Sequence, residues 1–140
     1  MPLHLLKMCV GCDSVEDLRE WQENRRLRGE GLFHRTRNMP KRAEEVLAGG
    51  SLYWIIKGEV RVRQRIIGLD AGVDGEGTRF CLIRLDPALV ETIRQPRRPM
   101  QGWRYLDPAD APGDRDPAHK DEIEQMPEHM QKELRALGLL

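Results

Sequence analysis

Arg61, Arg63 and Arg65 recur at every second position of the run EVRVRQRI, and each guanidinium presents a planar fork of N–H donors that matches the oxygens of a phosphate or carboxylate two at a time. Val60, Val62, Gln64 and Ile66 fill the intervening positions. In a strand, where side chains point alternately to opposite faces, the two sets separate into an apolar face and a cationic one. More cations lie in three other segments: Arg35, Arg37, Lys41 and Arg42, then Arg97 and Arg98, then Arg104. Tyr53, Trp54, Trp103 and Tyr105 are interleaved with them, and aromatic rings offer stacking platforms to unpaired bases. Forks and platforms together are the chemistry of nucleic-acid or nucleotide recognition. The competing reading is a solvated sheet face, its arginines paired with Glu44, Glu45, Glu59 or an acidic tail, with Trp54 and Trp103 in the core.

Cys9 and Cys12 form a C-x-x-C at the junction of an expected strand and helix. A helix N-terminus stabilises a thiolate through its dipole and free N–H groups. A thioredoxin-like role needs a βαβ context, which the later meander pattern does not provide, and zinc needs a second ligand pair. Cys81 falls inside an expected strand, and neither His4 nor His34 has a partner at metal spacing. Cys9 and Cys12 thus stand as candidates for a metal or redox role against ordinary buried cysteines, and no metal or cofactor is expected. His34, beside Arg35 and Thr36, reads as a phosphate contact, a general base or a structural histidine. No Ser-His-Asp or Cys-His order is present, so no catalytic residue is assigned. Asp70, Asp74 and Glu76 among glycines match neither the EF-hand nor the P-loop spacing and read as a hairpin loop.

These groups must be held by a small fold. At 140 residues, with 39% hydrophobic and 33% charged residues, the chain fits one globular domain with an appendage. Its longest apolar stretches fall well below the roughly 20 residues of a bilayer-crossing helix, and no signal-peptide pattern opens the chain. With three cysteines, this leads to the expectation of a cytoplasmic protein without a membrane partner. A net charge of zero hides an asymmetry: residues 1–106 hold 19 Lys and Arg against 14 Asp and Glu, whereas residues 107–140 hold 4 against 9.

Along the chain, residues 3–10 read as a strand and residues 14–27 as an amphipathic helix capped by Asp13 or Ser14, with Glu16 and Asp17 at capping-box spacing. Residues 32–39 read as extended, and 41–48 as a short helix that Gly49-Gly50 stops. Residues 51–70 form a hairpin that turns at Lys57-Gly58. A glycine-rich loop at 71–78 leads to a third strand at 79–85, a stiff basic connector at 95–99 and a further strand within 100–106, with Trp103 and Tyr105 on one face. The stretch DPADAPGDRD reads as the start of a linker. The expected division is an α+β body at 1–106, an acidic Pro/Gly/Asp-rich linker at 107–126 and a short amphipathic helix at 127–140 that docks in cis or on a partner chain. Strands and helices do not alternate, so the expected class is α+β, a small, mostly antiparallel curved sheet or partial barrel with a covering helix and a C-terminal tail helix.

The motifs CVGCDSVEDLREWQ, RTRNMPKRAEEVLAGGSLYWIIKG and RRPMQGWRYL resemble a bacterial family catalogued only as a domain of unknown function. That resemblance carries over no catalytic residue. The order of elements, a basic segment, small helix, Gly-Gly step and meander, is similar in outline to PUA-like and ASCH-like RNA-binding barrels. The expectation for function is an RNA- or nucleotide-binding module that uses the arginine face, with Arg35, Arg37 and Arg42 on phosphates, Trp103 or Tyr105 stacking, and the tail competing for the surface. The alternatives are a small enzyme acting on a phosphorylated substrate in the same basic pocket, and an interaction protein whose arginines neutralise internally.

Overall fold

The computed structural model describes residues 2–98 and 100–115. The run SLYWII, buried at all six positions, forms β3 (Ser51–Ile56), and a strand buried on both sides belongs in the middle of a sheet. Leu52, Trp54 and Ile56 enter one core cluster, while Tyr53 and Ile55 enter a second on the other face. On one side of β3 lies β1 (His4–Met8), parallel to it, followed by the antiparallel β7 (Trp103–Leu106). On its other side lies β4 (Glu59–Val73), joined to β3 through Lys57 and Gly58 at φ 51° and 78°. Positive φ at both central residues is the type I′ geometry whose twist matches that of the paired strands.

β4 is long enough to carry two antiparallel partners, β5 (Arg79–Leu85) along its distal half and β6 (Val90–Pro96) along its proximal half. β2 (Phe33–Thr36) pairs with β5 at the far edge. The strand path is β2-β5-β4-β3-β1-β7, and its two ends do not pair, so the sheet is open and no barrel closes. Helices α1 (Val15–Leu27) and α2 (Ala43–Leu47) both fall in the crossover from β1 to the parallel β3. Among the described residues the class is α+β, with one parallel strand pair in a mostly antiparallel sheet.

The hydroxyl of Ser14 caps α1 by accepting the Asp17 N–H at 3.2 Å, and the Asp17 carboxylate accepts the Asp13 N–H at 2.9 Å. Val15 and Leu18 pack into the first cluster. Gln22, one turn on, is buried and meets Gln64 of β4 in a reciprocal amide pair at 2.8 and 2.9 Å. Gln64 Oε1 also accepts the Trp54 indole N–H at 3.1 Å, and its Nε2 donates to the Asp86 carbonyl at 2.9 Å. Every donor and acceptor of this buried amide is matched, which is the condition under which a polar group is tolerated in a core. No described helix is long and apolar enough to cross a membrane.

The structure departs from the sequence reading in four places. Strict alternation along β4 fails at Arg61, where the register slips by one residue against β3 and by two against β6. Val60 consequently packs with Tyr53 and Ile55, while Val62 packs with Trp54 and Ile56 on the opposite face. A bulge inserts a residue without its own partner, and every side chain beyond it exchanges faces. β4 continues to Val73 where a loop was expected, so the connection to β5 shortens to residues 74–78. Part of the expected basic connector at 95–99 belongs to β6. The described part of the expected linker lies against β6, with Asp114 bridged to Thr92, the Ile93 N–H on the Gly113 carbonyl at 2.8 Å and the Arg115 N–H on the Glu91 carbonyl at 2.9 Å. The expected helix at 127–140 lies outside the described residues.

Candidate functional site

The three arginines of β4 do not form one row. Arg61 sits at the bulge, beside Ser14, Val15 and Glu16 at the start of α1 and near Glu91 and Arg115. Arg63 grips Asp114 with both ends of its fork, at 2.6 and 2.8 Å, and donates to Ser51 Oγ at 3.4 Å. That pairing holds the Asp114 carboxyl below its ordinary range. Arg65 is exposed, opposite Ser51 in the pairing. The chain segment after β7 therefore neutralises the middle guanidinium, which removes Arg63 as a ready anion contact.

Cations and rings converge elsewhere, around an open groove of about 810 Å³. Antiparallel pairing of β2 with β5 delivers Arg37, just past β2, to the region of Arg79 and Phe80 at the start of β5. Pairing of β7 with β1 brings Trp103 and Tyr105 to the same groove, and Lys41 enters it from the segment before α2. Asn38, Met39 and the last residues of β4 complete the wall. Arg37, Lys41 and Arg79 are exposed, and none pairs with a described carboxylate. No acidic residue is among the groove's described lining.

The aromatic wall is held by specific bonds. The Trp103 indole N–H donates to the Asn38 carbonyl at 2.9 Å, and its ring meets Tyr105 edge to face at 4.9 Å. Tyr105 Oη accepts the Arg42 N–H at 3.1 Å, which ties β7 to the entry of α2. Phe80 stands directly across from Gly72, where a Cβ would come within 2.5 Å of the ring, so only glycine leaves the room that Phe80 uses. Arg35 stacks over the other side of this corner, 4.2 Å from the Phe80 centroid, with its fork on Asp74 at 3.3 Å. The platforms are thus oriented before any ligand arrives.

Of the residues singled out in the sequence, Arg37, Lys41, Trp103 and Tyr105 meet in this groove. Arg42 borders it but is paired with Glu45. Arg97 donates to Gln95 at 3.0 Å, and Arg98 and Arg104 are exposed away from the described lining. Arg79 and Phe80 were missed, because their positions are legible only once β4 is known to reach Val73 and to pair Val73 with Arg79.

His34 lies apart from the cations of the groove. It lines a second, 300 Å³ pocket with Cys9, Cys12, Trp21 and Trp54, its ring edge-on to Trp54 at 5.3 Å. Cys9 and Cys12 are joined as a disulfide, whereas Cys81 is free and buried. Burial, helped by the charges of Lys7 and Arg25, lowers the His34 pKa to about 4. The unfolded imidazole, with its ordinary pKa of 6.5, binds a proton throughout the window from 6.5 down to about 4 while the folded one does not. Stability is therefore lost as pH falls through that window. A depression of this size corresponds to about 2 kcal/mol after allowance for the part of the ring that water reaches. Urea unfolding is expected to show this loss, with His4, whose pKa is also lowered, adding to it. His34→Gln is expected to flatten the profile, and an unchanged slope in that variant would contradict the assignment.

An open, mostly antiparallel sheet with a basic, aromatic-walled groove defines a small α+β domain. The chain belongs to the family described as "Protein of unknown function (DUF1489)", whose model matches residues 5–140. No curated protein and no solved structure matches it.

Proposed function

We propose that the domain binds single-stranded nucleic acid in the groove between β7 and the β4-β5 hairpin. Phosphates lie on Arg37, Lys41 and Arg79, and a base stacks against the Trp103–Tyr105 pair. The observation that carries this reading is the grouping of three cations, unopposed by any described carboxylate, with three aromatic rings around one groove. Its volume of about 810 Å³ lies within the range of roughly 300–1,000 Å³ typical of small-molecule sites, which suits one or two nucleotides rather than a duplex. Sequence-tolerant recognition follows, since every base offers a π-face and every nucleotide a phosphate.

Fluorescence anisotropy with a labelled uridine oligonucleotide tests it. Three phosphate contacts predict a slope of log affinity on log salt of about −2, or roughly a 15-fold loss between 50 and 200 mM salt. Absence of binding at the lower salt would overturn the proposal.

A further inference from the structure

We infer that Cys9 and Cys12 form a redox site that exchanges its disulfide with cysteine thiols carried on an apolar peptide. The two cysteines are bonded across the turn from β1 to α1, with Cα atoms 5.6 Å apart. They sit at the carboxyl end of a strand that is parallel to β3 and connects to it through α1, β2 and α2, so a crossover context exists here despite the meander that follows. Sites in sheets with such crossovers collect at the carboxyl ends of the strands. Cys9 continues β1, its N–H on the Ile55 carbonyl at 2.9 Å, and is buried, whereas Cys12 is more exposed and closer to the capped start of α1. Cys12 is therefore the sulfur a partner reaches, and Cys9 is the resolving one. The N–H groups and dipole of α1 favour the Cys12 thiolate.

The pocket beside the disulfide names the kind of partner. It measures 300 Å³ and is walled by Leu18, Trp21 and Trp54, with Val10 at its lining 85% exposed and Trp21 44% exposed. Large apolar side chains held in water next to a reactive bond fit an apolar residue flanking the incoming cysteine. His34, neutral at pH 7, brings no fixed charge to the pocket, and the Asp17 carboxylate is engaged by the Asp13 N–H.

In the exchange, a partner thiolate attacks Cys12 Sγ. A partner–Cys12 disulfide forms, the Cys9–Cys12 bond breaks, and the electron pair leaves on the Cys9 sulfur, which takes a proton from water. A second partner thiolate then attacks the partner sulfur of that mixed disulfide and expels Cys12, which is protonated in turn. The partner dithiol is oxidised to a disulfide and the Cys9–Cys12 pair is reduced to two thiols, with two electrons and two protons transferred.

The experiment uses the full chain with a peptide cysteine flanked by Leu and Phe, activated as its thionitrobenzoate disulfide, and with the same peptide carrying Asp flanks. Cys9→Ser is expected to form the mixed disulfide at least about 10-fold faster than Cys12→Ser and to prefer the apolar peptide by a similar factor. Trp21→Ala is expected to erase the preference. In the unaltered protein, the corresponding peptide dithiols reduce the pair, followed by alkylation and mass measurement, with the apolar peptide again the faster. Equal rates for the two cysteine variants, no preference between peptides, or a pair that stays unreduced in the native protein would each overturn the inference.

Discussion

Replacing Arg37 and Arg79 together with glutamate is expected to weaken binding of single-stranded RNA by at least about 100-fold at low salt and to flatten the salt slope from about −2 to between about −1 and 0. The two side chains approach the groove from different strands, and no described carboxylate pairs with either. Reversal therefore does more than remove two contacts, because it places negative charge where phosphate oxygens would lie. Both residues are exposed, so the thermal midpoint should move little, and a loss of binding cannot be laid to unfolding. The same double change at Arg63 and Arg97 serves as the contrast. Arg63 is already held by Asp114 and Arg97 by Gln95, and neither lines the groove, so a change of less than about threefold is expected. Similar losses in both variants would mean that binding follows overall charge and not the groove.

Gln64→Leu is expected to be the most destabilising single change outside the apolar core. Gln64 is wholly buried and satisfies three groups that have no other partner among the described residues: the Trp54 indole N–H, the Gln22 side-chain amide and the Asp86 carbonyl. Leaving a buried polar group unpaired costs about 1–3 kcal/mol, so a loss of about 4 kcal/mol is expected against a typical domain stability of about 5–15 kcal/mol. That corresponds to a fall of about 15 °C in the thermal midpoint. The double variant Gln22→Leu, Gln64→Leu should recover part of it, because the amide pair is then removed from both sides and only the Trp54 and Asp86 groups are orphaned. A loss under about 1 kcal/mol for Gln64→Leu would show that water replaces the amide.

Much of this architecture is legible in local pattern. The cap at Ser14, the turn at Lys57-Gly58 and the strand at 79–85 each rest on a few adjacent residues whose chemistry points one way, and all three are found where expected. The failures share a different cause. Nothing in EVRVRQRI distinguishes Arg61 from its neighbours, and the bulge there arises from how β4 fits between β3 and β6. Gly72 reads as a loop residue, yet β4 runs through it, because pairing with β5 stabilises the extended chain and Phe80 occupies the space above Gly72. The stretch from Asp107 to Arg115 contributes through backbone bonds and one carboxylate, and neither has a hydrophobic period.

The groove divides in the same way. Arg37, Lys41, Trp103 and Tyr105 stand out by residue type, but the partners that turn them into one surface, Arg79 and Phe80, arrive through long-range strand pairing. The row of arginines at 61, 63 and 65 was the more conspicuous feature of the sequence. Bulge and Asp114 between them take it apart.

The most direct test follows the indole N–H resonances of the three tryptophans, Trp21, Trp54 and Trp103, while a short uridine oligonucleotide is added. Trp103 stands in the groove, Trp21 and Trp54 in the disulfide pocket. The predicted result is a progressive, salt-sensitive shift of the Trp103 resonance with the other two unmoved. Binding that leaves Trp103 in place, or that moves Trp21 or Trp54 instead, would contradict the groove as the site.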